Sequence, residues 1–224
     1  MKFNNILHIT DDYLYFKNKK NKEIIKYKLP DSTVYGGKIS NTKKFIKSFE
    51  KLLNANHLNN SLFGDTIKII VANNYKEADI LFLKNIISSF NYRKIVIEKE
   101  IKYYKLKENI AYINIFDNYF NVTYLDEYKK IKNIYMETNS FKNTSDILKY
   151  IDYITDKKEV CLLGSGNILE EVFLNLEDKF NKKTYIFKNH ETYIITSEKG
   201  WFYGLLSTFV ERFFLQNTFH CVKV

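Results

Sequence analysis

The chain has 224 residues, 45% of them apolar, with 18 Phe and 18 Tyr but one Pro and seven Gly, a make-up that fits a folded globular protein and excludes a collagen-like, repeat or linker-rich one. Two cysteines, Cys161 and Cys221, make neither a disulfide framework nor a metal-ligand spacing, and the four histidines are scattered. The formal net charge of +9 comes from lysines spread along the whole chain with only two arginines, Arg93 and Arg212, so it reads as a solvated surface rather than a nucleic-acid stripe.

Three short strands open the chain, at Ile6–Ile9, Tyr13–Lys17 and 23–28, joined by the tight links Thr10-Asp11-Asp12 and 18–22. Pro30-Asp31-Ser32 ends this meander, and Gly36-Gly37 marks a further break. A helix is predicted near Thr42–Leu53, where Phe45, Ile46, Phe49, Leu52 and Leu53 recur at helical spacing. After a polar loop (54–65), the β-branched run Ile67–Val71 reads as a strand buried on both faces. A helix over Lys76–Phe90 and a strand at Lys94–Ile97 close a first β-β-β-α-β-α-β half. A segment at 98–108 crosses to a second half. Its interleaved Tyr and Lys could stack on bases, but a half-buried connection explains them better. Strands at Asn109–Phe116, Tyr119–Leu125 and Lys130–Met136 come next, with a turn at Asp117-Asn118 and a helix near Ser145–Ile154. A last helix is expected over Trp201–Leu215, with a broad apolar face.

The segment Lys158–Phe187 combines an apolar strand (Val160–Leu163), the turn Gly164-Ser165-Gly166, a helix with Ile168, Leu169, Val172, Phe173, Leu176 and Phe180 on one face, and a strand (Thr184–Phe187). Such a turn leaves backbone N–H groups and the positive end of a helix dipole free to hold a phosphate or nucleoside. Two glycines that merely let strand and helix turn tightly explain the same residues. No nucleophile–base constellation stands out. Cys161 lies in an apolar strand, as an inert core thiol does, and His8 lies in another. The pairs Asp11-Asp12, Asp126-Glu127 and Glu170-Glu171 suit turns or a first helical turn. A Walker P-loop and a Rossmann GxGxxG are both absent.

Two successive β-β-β-α-β-α units with these motifs in this order resemble the actin, sugar-kinase and DnaK-chaperone superfamily, most closely its bacterial actins of the MreB, FtsA and PilM types. The stretch Cys161–Leu169 looks like that superfamily's adenosine motif, so Gly164, Ser165 and Gly166 become the candidate cofactor-binding residues. Ser197–Gly204 looks like its terminal motif, and Ile97-Glu98 with 99–106 stands where its central E-P-x-A-A helix lies. The resemblance implies an α/β, two-lobed actin-like (ribonuclease H-like) core of duplicated units, divided at 1–106 and 107–224. It also implies that the small outer lobes are missing or vestigial, since only 54–65 and 155–158 lie where insertions would sit.

The two phosphate motifs depart from the pattern. In Leu7–Tyr13, His8 stands where the family has Asp and Thr10 where it has Gly. In Ile113–Asn118, Asn114 stands at the Asp position and Phe116 at the first Gly. Asn cannot supply the charge that orients metal-bound water, and a Phe side chain obstructs the backbone approach that Gly allows. A register shift could recruit Asp11 or Asp117, but the turn glycines are still absent. The expectation is a pseudo-ATPase with no catalytic residues, no metal site and no resident cofactor, and at most weak binding of ATP with Mg. It would act as a scaffold through a protein partner or through itself, as a homo-oligomer or filament, in cell shape, division or pilus assembly. A nucleotide-binding switch and a remnant small-molecule kinase are the alternatives. No apolar run has transmembrane length and MKFNNILHITDDY lacks a signal-peptide core, so a cytoplasmic protein is expected, with peripheral membrane contact left open. The tail 216–224 is either an edge strand, a docking tail or a frayed end.

Overall fold

The computed structural model describes residues 3–18, 24–55, 64–104, 106–116, 118–154, 156–157, 159–164, 172, 176 and 183–186. The first half is a meander of β1 (Asn5–Ile9), β2 (Tyr13–Asn18) and β3 (Ile24–Lys28), then a hairpin of β4 (Val34–Tyr35) and β5 (Lys38–Ile39). Helix α1 (Thr42–Ala55), β6 (Thr66–Val71), α2 (Glu77–Ser88) and β7 (Lys94–Lys99) complete it. A single 3-10 turn, Glu100–Tyr103, leads to the second half. There β8 (Ile110–Ile115), β9 (Tyr119–Leu125) and β10 (Ile131–Glu137) form another meander, followed by α3 (Thr144–Ile154), β11 (Glu159–Gly164) and β12 (Lys183–Ile186).

Each half makes one five-stranded sheet, and the two sheets have the same topology: β3-β2-β1-β6-β7 and β10-β9-β8-β11-β12. The meander strands pair antiparallel, while β1–β6–β7 and β8–β11–β12 pair parallel. The duplicated order read from the sequence is therefore the order of the fold. The β4–β5 hairpin was not expected. Its strands are too short to carry a period, and its turn is Gly36-Gly37, with φ of +59° and +76°. Two consecutive positive-φ residues are what a two-residue hairpin of right-handed twist needs.

Burial explains why the parallel strands sit centrally. All five residues of β1 are buried, as are five of six in β6. Alternation then assigns the two faces. Leu7, Ile9, Ile67 and Ile69 point toward α1 and α2, where Phe45, Phe49, Leu52, Leu83 and Ile87 complete the core. Phe49 packs edge-on against Phe90, their ring centres 4.8 Å apart. In the second half Ala111, Ile113 and Ile115 point toward Ile147, Leu148 and Ile151 of α3. Helices α1 and α3 both start on an asparagine cap, Asn41 Oδ1 accepting Lys44 N–H and Asn143 Oδ1 accepting Asp146 N–H, each at 3.0 Å.

The opposite faces of the two sheets share the crossing turn. Tyr103 packs with Ile6, Tyr15 and Ile70 of the first sheet. Tyr104 touches that cluster and also the Tyr112, Cys161 and Leu163 cluster of the second, stacking on Tyr112 at 5.8 Å. The Tyr–Lys segment is thus the seam between the halves, which places its tyrosines in packing. Among the described residues no helix is long and apolar enough to cross a membrane.

Candidate functional site

Glu98, near the end of β7, and Glu100, in the turn that follows it, have different surroundings. Glu98 keeps to the rim, accepting from Tyr103 at 2.8 Å and pairing with Lys102 at 3.3 Å. Glu100 is only 2% exposed. Its Oε1 lies 2.7 Å from Nε2 of the fully buried His8, and its Oε2 accepts from the Tyr104 hydroxyl and from Asn114 Nδ2, both at 3.0 Å. One carboxylate therefore ties β1, the crossing turn and β8 together. Burial, then the charge of Glu100, holds the Tyr104 phenol well above its ordinary range, so it stays a donor. His8 and Asn114 are the two positions at which the resemblance calls for aspartate, and both spend a nitrogen on Glu100.

The turn between β1 and β2 carries Asp11, which faces inward while Asp12 is exposed. Asp11 Oδ2 and Oδ1 accept the backbone N–H groups of Gly36 and Gly37, at 3.1 and 2.7 Å, and the Asn118 side chain donates to the same carboxylate. Burial raises its pKa to about 6 against the lowering effect of those hydrogen bonds. A Cβ at Gly37 would stand 2.5 Å from the Ala72 Cβ, and one at Gly36 would collide with the Tyr135 hydroxyl. The hairpin can close on the second half only because both residues are glycine.

Beside Glu100 lies a tight crevice whose walls leave no room for a water-sized sphere. Tyr119 and Tyr135, their rings 5.4 Å apart, wall it from the second half. Asn73 and Asn74, just past β6, face Asn114 of β8 and Asn121 of β9 across it. Phe116 is buried and stacks on Tyr119 at 4.8 Å, so it fills space beside the turn.

Of the residues singled out in the sequence, Gly164 is the last residue of β11, opposite Ile115 of β8. Ser165 and Gly166 lie outside the described residues, as do Asp117, Ser197–Gly204, the expected helix at 201–215 and the tail at 216–224. Cys161 is buried at the seam, and burial pushes its thiol up to about 12, the value of an inert core cysteine. Residue patterns alone did not single out Glu100, the Gly36-Gly37 cradle or Asn73 and Asn74. Glu100 had one available signal, a second acidic residue at the same parity as Glu98 in an otherwise Tyr–Lys segment.

No family model and no curated protein sequence matches the chain. Solved structures do. The chain is similar to MreB5 of Spiroplasma citri bound to AMPPNP, with a TM-score of 0.62 and 10% identity over 97% of this chain and 100% of that one. The ethanolamine utilization protein EutJ of Carboxydothermus hydrogenoformans matches with a TM-score of 0.55 and 8% identity, over 83% and 85%. A Bacteroides thetaiotaomicron protein with an actin-like ATPase fold and unknown function matches with a TM-score of 0.54 and 13% identity, over 88% and 96%. The chain has the actin-like ATPase fold. In this actin-like chain the His8–Glu100–Asn114 link and the crevice lie where its two duplicated sheets meet.

Proposed function

We propose that the chain is a non-catalytic actin-like scaffold, a pseudo-ATPase that works by self-assembly or by docking a protein partner in cell shape, division or pilus assembly. One observation carries this reading: the junction of the two halves is filled by the chain's own side chains. Asp11 occupies the Gly36 and Gly37 N–H groups, and His8 and Asn114 are joined through Glu100. The crevice leaves no room even for a water-sized sphere, far below the ~300–1,000 Å³ of small-molecule sites, and two tyrosines wall it. That arrangement does not fit a magnesium-bound triphosphate, for which a carboxylate near metal-bound water and open backbone N–H groups are needed.

A nucleotide-binding switch is the second reading. It draws on Gly164 at the end of β11 and on the solved MreB5 structures, which hold ADP or AMPPNP. Thermal unfolding with and without Mg-ATP and Mg-ADP separates the two. Binding would stabilise by about 2.7 kcal/mol at a hundred times the dissociation constant. An unchanged midpoint at millimolar nucleotide supports the scaffold, and a saturable rise supports the switch. Light scattering and electron microscopy of concentrated protein then tell assembly from docking as a monomer.

A further inference from the structure

Helix α2 is apolar on two opposite sides. Leu83, Ile86 and Ile87 are buried in the core of the first half. Leu81 and Phe82 point the other way and are 62% and 47% exposed. Of the large hydrophobics exposed among the described residues, they alone are neighbours on one helix. Ala78 and Asn85 are exposed too, so positions 78, 81, 82 and 85 make one stripe at i, i+3, i+4 and i+7. Scattered exposed apolar residues are ordinary, but two large ones at the middle of such a stripe mark a contact surface.

The stripe is its own complement. It is symmetric about the point between Leu81 and Phe82, with Ala78 and Asn85 at equal distances on either side. Where a second α2 lies antiparallel across it, Leu81 of each copy meets Phe82 of the other, and Ala78 meets Asn85. The shorter side chains at the ends let the two large ones interdigitate.

Charge decides the direction. Asp79 is spent on Lys38 at 2.7 Å and on the Lys76 N–H. Glu77 and Lys84 are exposed, and among the described residues neither side chain has an ion-pair partner. Seven residues apart, they lie two turns from each other on the same flank of the stripe. A two-fold axis perpendicular to the plane of an antiparallel helix pair reverses the chain direction but keeps the flank. It brings Glu77 of each copy within about 3 Å, measured along the helix, of Lys84 of the other. A parallel pair sends the two flanks to opposite sides and leaves all four charges unpaired. An anionic membrane would cover Leu81 and Phe82 but would repel Glu77 beside them.

We propose that α2 is the contact face between two copies of this chain, joined antiparallel about a two-fold axis between Leu81 and Phe82. The contact deepens the self-assembly in the scaffold reading and rests on it. It is isologous and closes on itself, so alone it makes a dimer, and growth into a filament uses a second surface.

The test is sedimentation velocity of the full chain from low to high micromolar concentration. The expected result is reversible association, weakened about tenfold or more by Phe82→Glu, with the unfolding midpoint kept because the side chain lies at the surface. Glu77→Lys and Lys84→Glu should each weaken association, and the two exchanges together should restore it. In a Cys221→Ser background, Leu81→Cys should oxidise to a disulfide-linked dimer, whereas Ser88→Cys, about 10 Å from the axis, should not. A chain that stays monomeric throughout would overturn the contact and self-assembly together. Assembly that is unimpaired in Phe82→Glu, not restored by the double exchange, or linked as fast through Ser88→Cys as through Leu81→Cys would overturn this contact and leave the scaffold reading standing. A monomer that binds anionic vesicles, and loses them in Phe82→Glu, would overturn it in favour of a membrane.

Discussion

Replacing Glu100 by Ala tests whether the seam between the halves rests on one carboxylate. The substitution strands three buried groups: His8 Nε2, the Tyr104 hydroxyl and Asn114 Nδ2, which lie 2.7, 3.0 and 3.0 Å from the lost oxygens. A buried donor without a partner costs about 1–3 kcal/mol. Water entering the vacated space will satisfy some of them, so the expected loss is about 3–6 kcal/mol. Folded domains are stable by only about 5–15 kcal/mol, so the variant should be close to unfolding at room temperature. Glu98→Ala is the internal control. That side chain sits at the rim two residues earlier, and its bonds to Tyr103 and Lys102 are replaceable by water. It should cost under about 1 kcal/mol. Glu100→Gln should fall between the two, since the amide keeps one acceptor oxygen but turns N–H groups toward the remaining donors. Urea unfolding followed by circular dichroism reads all three as shifts of the midpoint at constant slope. If Glu100→Ala costs no more than Glu98→Ala, the carboxylate does not hold the halves together and the account of the seam is wrong.

Other consequences are open to equally direct measurement. The folded pKa of Asp11, about 6, lies above its ordinary value of 3.8, so this group's stabilising contribution is complete below about pH 4 and is lost as pH rises through 6. The chain should therefore gain up to about 3 kcal/mol from this group on acidification from pH 7.5 to 4, and Asp11→Asn should flatten that part of the stability–pH curve. An unaltered curve in the variant would show that Asp11 is not the titrating group. Gly37→Ala combines a φ of +76° with a Cβ 2.5 Å from Ala72, and should lower stability by about 2–4 kcal/mol in thermal or urea unfolding. In a Cys221→Ser background the one remaining thiol, Cys161, should react with a disulfide reagent only as fast as the protein opens, because burial pushes it up to about 12. Rapid labelling of the native protein would contradict its burial.

Much of the architecture was legible in the residues because it is written in local repeats. The runs Ile67–Val71 and Tyr119–Leu125 became β6 and β9 almost to the residue, and Phe45, Phe49 and Leu52 faced the core as their spacing required. The duplicated strand order came from reading these elements in sequence. Among the described strands the β4–β5 hairpin escaped, because two-residue strands have no period, although Gly36-Gly37 marked the turn. The candidate site was far less legible. His8 and Asn114 read as the loss of two aspartates, and nothing near either of them in the sequence names Glu100 as the group they share. Asp11 looked like an ordinary turn residue, since its partners Gly36 and Gly37 lie 25 and 26 positions away.

The chain order of strands and helices, the buried faces of each element and the departures at the two phosphate motifs are all consequences of residue type and spacing. They depend on interactions within a few residues, and those interactions leave a periodic trace. Tertiary structure alone decided which of two glutamates turns inward, which carboxylate occupies the glycine cradle, and that four asparagines from three separate segments surround one crevice. Each of these is a contact between groups that the chain brings together only when its two sheets meet. A hydrogen bond across such a distance imposes no period on the sequence around it.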